Sequence, residues 1–338
     1  MVKLGREISG IVIMEYGKRE FLERISDPFF FQAFGCVVGF DWHSSGLTTT
    51  LTGALKEAKL EDFGIGVAGG KGKSSLKTPE DIVKISERLG ISDSKTENLI
   101  SVSKLVAKVD NSLIQDGFSL YHHTIFFDER GRWSVVQQGM NTNERYARRY
   151  HWFYEKTKNF LEEPHSGVIS EIKVEKPLNL IDKEARECKK ASVDVVKENP
   201  RKFSKFFFSK NLLSYFHEKT IRMEASHTFS KRVYKKLLDL HEFDPKNYEE
   251  IVKMEGVGPK TIRALAILSK LIFGAPLVWK DIKFFSFAHG GKDKIPYPVD
   301  KKTYDKTIEI LKDAIENTQE GKERREMLRR LERFFTIS

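Results

Sequence analysis

The chain has 338 residues, 40% hydrophobic and 31% charged, with a net charge of +10, long enough for two domains with separate cores and suited to a polyanionic partner. No run approaches the roughly 20 apolar residues of a membrane span, and the N-terminus lacks the charged, apolar, small order of a secretory signal. Cys36 and Cys188 are the only cysteines, which excludes a disulfide framework and a cysteine-rich zinc site and leaves a cytoplasmic location as the default.

In chain order, residues 7–35 carry helical spacing and 35–40 form a short apolar run that reads as a strand. Helical spacing returns over 47–59, a buried strand over 63–68, and a turn at Gly69-Gly70. Thr78-Pro79-Glu80-Asp81 opens a helix with an N-cap and a proline at the first position. Another helix covers 96–115. Strands at 120–127 and 133–138 flank the turn Asp128-Glu-Arg-Gly131. This alternation predicts an α/β N-terminal domain over 1–162, a mixed sheet with flanking helices. Pro164, Gly167 and Pro177 mark a linker over 163–178. From 179 to 338 an all-α domain follows, with helices near 183–198, 203–217, 229–240, 247–255, 259–273, 301–316 and 320–335.

In the first domain, Asp41 and His43 lie in Phe40-Asp-Trp-His-Ser-Ser-Gly46 after the apolar run, where α/β proteins place functional loops. His122 and His123 start one strand, Asn141 follows the next, and Arg149 comes soon after. Such residues could converge on a phosphate. A neutral imidazole can attack phosphorus while a second protonates the leaving oxygen, and cations stabilise the equatorial oxygens. One such set per chain would require a homodimer to bring two half-sites together. The alternative is a divalent metal such as Mg or Mn held by Asp41, Asp110, Asp116, His122 or His123 and activating water. The same residues also suit a buried hydrogen-bond network. Lys71, Lys73 and Lys77 lie close in sequence, as do Arg145, Arg148 and Arg149, and suit a polyanion. The run 322–333 alternates in sign and reads as a solvated helix face.

In the second domain, two helices meet at Gly256-Val257-Gly258. Glycines there permit positive φ and let backbone N–H groups approach an anion. Pro259 suits a first helical position, the helix N-terminus attracts phosphate, and Lys260 and Thr261 follow it. The segment resembles the helix-hairpin-helix motif, which implies a sequence-independent grip on a DNA backbone by Gly256, Val257, Gly258, Lys260 and Thr261. A tight hairpin that binds nothing has the same spacing. His289 and Lys292, in the glycine-rich loop 288–293, could also touch phosphate.

Two further resemblances bear on activity. The order His122 or His123, Asp128, Gly139-Met140-Asn141 is similar to the phospholipase-D-like phosphodiesterases, a superfamily that includes metal-independent nucleases. Here Thr124 replaces the family's lysine, Met140 its serine, and Asn141 arrives one residue early, so Lys108, Lys71 or Arg149 would supply the cation. Lys260, with Asp281 after Gly274-Ala-Pro, resembles the lysine and aspartate of helix-hairpin-helix glycosylases that nick abasic sites. That resemblance implies a Schiff base on Lys260, with Asp281 stabilising the developing cation.

Over nearly the whole chain, Asp27-Pro-Phe-Phe-Phe-Gln32, the 40–46 segment, Gly69-Gly-Lys-Gly-Lys73, Gln137-Gln-Gly-Met-Asn141 and Ala288-His-Gly-Gly-Lys-Asp293 look like a microbial family of unknown function, domain-of-unknown-function family 763. Its members begin with a further basic segment, which implies a shortened N-terminus here. The expectation is a DNA-binding phosphodiesterase acting in repair, with DNA as partner, RNA still open, and no membrane. A glycosylase/lyase using Lys260 and Asp281, or a non-enzymatic DNA-binding adaptor, is the alternative.

Overall fold

Helix formation begins at once. In the computed structural model, which describes residues 1–40, 46–142, 145–208, 229–284, 301–318 and 321–337, α1 spans Val2–Ile25 with a break at Gly17, where φ is +87°. Asp27 then caps α2 (Pro28–Val37), its carboxylate accepting from Phe30 N at 2.7 Å, with Pro28 in the first position. Every residue of α2 is buried. A helix apolar on all sides belongs in a core, and the apolar run at 35–40 is the end of this helix through Val37 followed by a turn, not the expected strand. Continuous hydrophobicity does not separate a buried helix from a buried strand.

After α3 (Gly46–Glu57) come β1 (Ile65–Lys71), the short α4 (Lys73–Leu76), α5 (Thr78–Leu89) and α6 (Asp93–Ser112). The strands β3 (Ser119–Asp128), β4 (Trp133–Asn141), β5 (Tyr146–Phe153) and β6 (Gly167–Ser170) run as a meander. With β1 on the far edge the order is β1-β3-β4-β5-β6. Every pairing is antiparallel, so the sheet is not the mixed one expected. Short turns between consecutive strands produce antiparallel neighbours. Two-residue strands β2 (Ile114–Gln115) and β7 (Leu178–Asn179) pair separately.

The helices of the second half are α7 (Arg186–Lys197), α8 (Ser204–Phe208), α9 (Lys231–Phe243), α10 (Tyr248–Lys253), α11 (Pro259–Phe273), α12 (Lys301–Glu316) and α13 (Gly321–Ile337).

Strand alternation gives the sheet two apolar faces and the protein two cores. Ile65, Val67, Phe126, Val136 and Phe153 meet α1, α2 and α3 on one face. Ile125, Phe127, Val135, Tyr150 and Trp152 meet α5 and α6 on the other, and that core continues through α7, α9, α10 and α11. The helices after residue 179 therefore do not gather in one unit. Those from α7 to α11 extend the second core, whereas α12 and α13 return to pack on α1 and α2. Nor is 163–178 a linker, because it supplies β6 and the start of β7.

Gly69 is where the backbones of β1 and β3 crowd most. Its φ is +106°, and a Cβ there would lie 2.2 Å from the carbonyl oxygen of His123. Glycine alone fits.

Candidate functional site

His122 and His123 are neighbours in β3, so their side chains leave opposite faces of the sheet. His122 Nε2 meets Thr52 Oγ1 of α3 at 2.9 Å, and His123 Nε2 meets Ser103 Oγ of α6 at 2.7 Å. The two rings hydrogen-bond on opposite faces, contrary to their expected convergence on one phosphate, although both residues border one cavity.

On the α6 face the hydrogens around His123 follow from its partners. Asp110 Oδ2 accepts from Gln137 Nε2 at 2.5 Å and from Trp152 Nε1 at 2.9 Å, while Oδ1 meets His165 Nε2 at 2.6 Å. A carboxylate offers only acceptors, so the amide nitrogen of Gln137 faces Asp110 and its oxygen faces His123. That oxygen lies 2.7 Å from His123 Nδ1, which therefore carries the hydrogen. The Nε2 lone pair is left to accept from the Ser103 hydroxyl. Burial lowers the His123 pKa, partly opposed by the Gln137 hydrogen bond and the Asp110 charge, so the ring is neutral at pH 7.

Ser103 and His123 lie at the wall of a cavity of about 970 Å³, between α6, the α4–α5 junction and the loop after α10. Lys104, Lys108, Asn111, Lys253, Val257 and Gly258 line it too. Lys71, Lys73 and Lys77 are exposed on the segment that enters α4 and α5, and Leu76, 80% exposed, is part of the wall.

The segment 248–273 is two helices joined by a hairpin. Asn247 caps α10 through Glu250 N, Val257 is buried, and Gly258 stands at the N-cap of α11. Gly256 takes φ +76°, as expected. Gly258 does not: its φ is −143°, and no atom lies within 4 Å of a Cβ built there. Gly256 and Lys260 are exposed, whereas Thr261 is buried. Lys108 fixes the hairpin, donating to the carbonyl oxygens of Val252, Lys253 and Met254 at 2.9, 3.0 and 2.5 Å. Val252 and Lys253 end α10 and Met254 is its C-cap, where carbonyl oxygens lose their helical partners and a cation suits them; Met254 O also accepts from Val257 N. The ammonium is thus committed to backbone and is no free phosphate ligand.

On the opposite face, His122, Gln138 and Arg149 lie side by side across β3, β4 and β5, with Lys71 beside His122 on β1. The single hydroxyl proton of Thr52 points to Thr48 O at 2.8 Å, so Thr52 accepts from His122 Nε2–H. His122 Nδ1 keeps its lone pair and is buried without a partner. Burial, then the nearby His123 and Lys71, pushes this imidazole down to about 3. Arg149 donates to His151 Nε2 at 2.8 Å and to Gln32 Oε1 at 3.2 Å, and its guanidinium lies over Phe31. Burial pushes it down to about 9, still a cation at pH 7, and no carboxylate pairs with it among the described residues.

Arg148 turns the other way and is fully buried. It grips Asp281 with two bonds of 2.7 and 2.8 Å and Asp116 with one of 2.6 Å. Asp281 also accepts from the backbone N–H groups of Val174 and Ile282. Both its oxygens are engaged, so Asp281 ties the segment after α11 to the sheet and does not stand free to face a cation on Lys260. Burial pushes Asp116 up to about 6 against the pull of Arg148. Arg145 alone of its basic trio is exposed.

Asn141, at the end of β4, lies beside Gly117, four residues and about 13 Å along the strand from Gln137, so it does not join His123. Asp110 and Asp116 are each saturated by donors from the protein. Among the described residues no three His, Cys, Asp or Glu side chains gather as metal ligands. Asp41, His43, His289 and Lys292 lie outside the described residues.

Ser103, which lines the cavity, and Gln137, buried behind His123, were not among the expected site residues. A signal existed. Ser103 and Asp110 sit one heptad apart among the buried Leu99, Val102, Val106 and Val109 of α6, so both are polar side chains on a core-facing stripe. Likewise, the strand period alone separates His122 from His123.

The chain belongs to the family described as protein of unknown function (DUF763), whose sequence model matches residues 1–299. No curated protein and no solved structure matches the chain. Among the described residues no helix is long and apolar enough to cross a membrane.

Proposed function

We propose that this protein holds the backbone of DNA with the 254–261 hairpin and cleaves phosphodiesters in the adjoining cavity, acting in repair, with His123 as general base. One observation carries the reading: the hairpin tip at Val257 and Gly258 lines the same cavity as His123, whose tautomer leaves Nε2 as a proton acceptor. In this reading exposed backbone N–H groups at the tip and the first turn of α11 meet a phosphate, with Lys260 beside them. Lys104 and Lys253 line the same cavity and add positive charge, and Lys73 is exposed at the start of α4, near the Ser75–Leu76 wall. A bound phosphodiester then lies within reach of His123, which takes a proton from the attacking group. The cavity is built from one chain, so the reading needs no second copy.

The test is cleavage of end-labelled duplex carrying one abasic site, in EDTA and in manganese, by wild type, His123→Ala and Lys260→Ala. Cleavage in EDTA that His123→Ala abolishes, with binding kept, is the expected result. A borohydride-trappable adduct lost in Lys260→Ala would move the chemistry to a lyase at the hairpin. Binding without turnover in any condition would leave an adaptor. Binding that does not weaken with salt would contradict a phosphate grip.

A further inference from the structure

The hydrogen bonds around His123 fix more than a general base. Nε2 has one partner, the hydroxyl of Ser103 at 2.7 Å. Ser103 lies within α6, yet its hydroxyl hydrogen goes to the imidazole and not back to the carbonyl four residues earlier, as those of Ser192 and Ser269 do in α7 and α11. The order Ser103, His123, Gln137, Asp110 is a hydroxyl, a base that accepts its proton, an amide that sets the base's tautomer, and a carboxylate that sets the amide. A nucleophile hydrogen-bonded to a base that a third group orients is the arrangement that activates serine in acyl and phosphoryl transfer. Both Ser103 and His123 line the 970 Å³ cavity.

We infer that Ser103 is the nucleophile of this site and attacks a phosphate ester. The identification of that ester as DNA rests on the function proposed above; the nucleophile itself rests on the hydrogen bonds. In the first step the Ser103 Oγ–P bond forms, the serine proton passes to His123 Nε2, and the P–O bond to the leaving alcohol breaks. The leaving oxygen, in line with Oγ on the far side of phosphorus, takes a proton from water, while the imidazolium keeps the serine proton. In the second step water attacks phosphorus from the side the alcohol left and releases a proton to solvent, the Oγ–P bond breaks, and His123 returns its proton to Ser103 Oγ, restoring the hydroxyl and the neutral imidazole. The buried imidazolium is stabilised by Gln137 and, through it, by Asp110. Because the orienting group is an amide and not a carboxylate, that support is weaker than a direct ion pair gives.

The test has two arms on the full chain. A fluorophosphonate probe should label Ser103, located by peptide mass. His123→Gln should slow the labelling by about 100-fold or more, and Ser103→Ala should abolish it with the melting profile kept. Ser103→Cys, of similar volume, serves if the alanine variant fails to fold, and its introduced thiol should be alkylated faster than Cys36 or Cys188. In the second arm, duplex with a bridging phosphorothiolate should accumulate a covalent protein–DNA species that is absent in Ser103→Ala. No phosphonylation of folded wild type would overturn the inference. So would DNA cleavage at the wild-type rate by Ser103→Ala, which would leave His123 activating water and keep the proposed function. Labelling of Ser103 without any attack on DNA would support the nucleophile and refute DNA as its substrate.

Discussion

Acidification should unfold this protein through its buried histidines. His122, His123 and His151 are all held neutral mainly by burial, His122 down to about 3 and His151 well below its ordinary value. Each has a depressed pKa in the folded state, so the unfolded chain binds more protons, and the stability they allow is present above about pH 6.5 and lost as pH falls. At about pH 5 an imidazole that stays neutral lies 1.5 units below its unfolded pKa, a cost of about 2 kcal/mol. His122 alone withdraws that much, the other two act in the same direction, and three wholly neutral rings set a ceiling near 6 kcal/mol. Asp116, raised by burial to about 6, works oppositely and returns about 1 kcal/mol over the same range. The net loss is comparable to the whole stability of many domains. Urea unfolding followed by tryptophan fluorescence between about pH 7.5 and about pH 5 measures it. His122→Gln should reduce the dependence near pH 5 by about 1.4 kcal/mol per pH unit, one proton's worth. A stability flat across this range would mean that these rings take up protons in the native state. The tautomers assigned to His122 and His123 would then fall.

Four other outcomes follow from local surroundings. Asp281→Asn should destabilise the fold by about 3 kcal/mol, since it leaves the buried Arg148 short of a counter-charge; chemical denaturation measures this, and full stability with lost activity would instead support a catalytic Asp281. Gly69→Ala should cost several kcal/mol, about 3 or more, because its Cβ meets the His123 carbonyl and its φ is positive, whereas Gly258→Ala, with open space and a negative φ, should cost about 0.5 kcal/mol or less. A Gly258→Ala protein that melts normally but binds DNA more weakly would therefore report on the hairpin's grip. Lys108→Met should speed amide exchange in 252–258 by about tenfold or more, through loss of roughly 2 kcal/mol of carbonyl capping; unchanged exchange would show that the hairpin needs no such anchor.

Local signals carried much of this architecture. Caps, helical spacing and Gly/Pro punctuation act over a few residues, so α5, α11, α12 and the β3–β4 hairpin were legible, α11 and α12 over the residues expected. The glycine-tipped turn at 256–258 was legible for the same reason. Other features depended on what lies across the core. The start of the run at 35–40 became the end of α2 because that helix is surrounded by protein, and β6 joined the sheet because β5 offered it an edge, not because Gly167–Ser170 has a strong pattern. The return of α12 and α13 to α1 and α2 left no local trace. Arg148 and Arg149 look alike in sequence, but adjacent positions in a strand face opposite cores, so among the described residues one meets two carboxylates and the other none. The same rule divides His122 from His123. Only tertiary structure could place Ser103 against His123, because that contact joins a helix to a strand 20 residues on and is set by how α6 lies on the sheet. Residue type and spacing thus determined the elements and their polar inventory, while side-chain meetings across the two cores decided which polar groups are saturated and which remain available for chemistry.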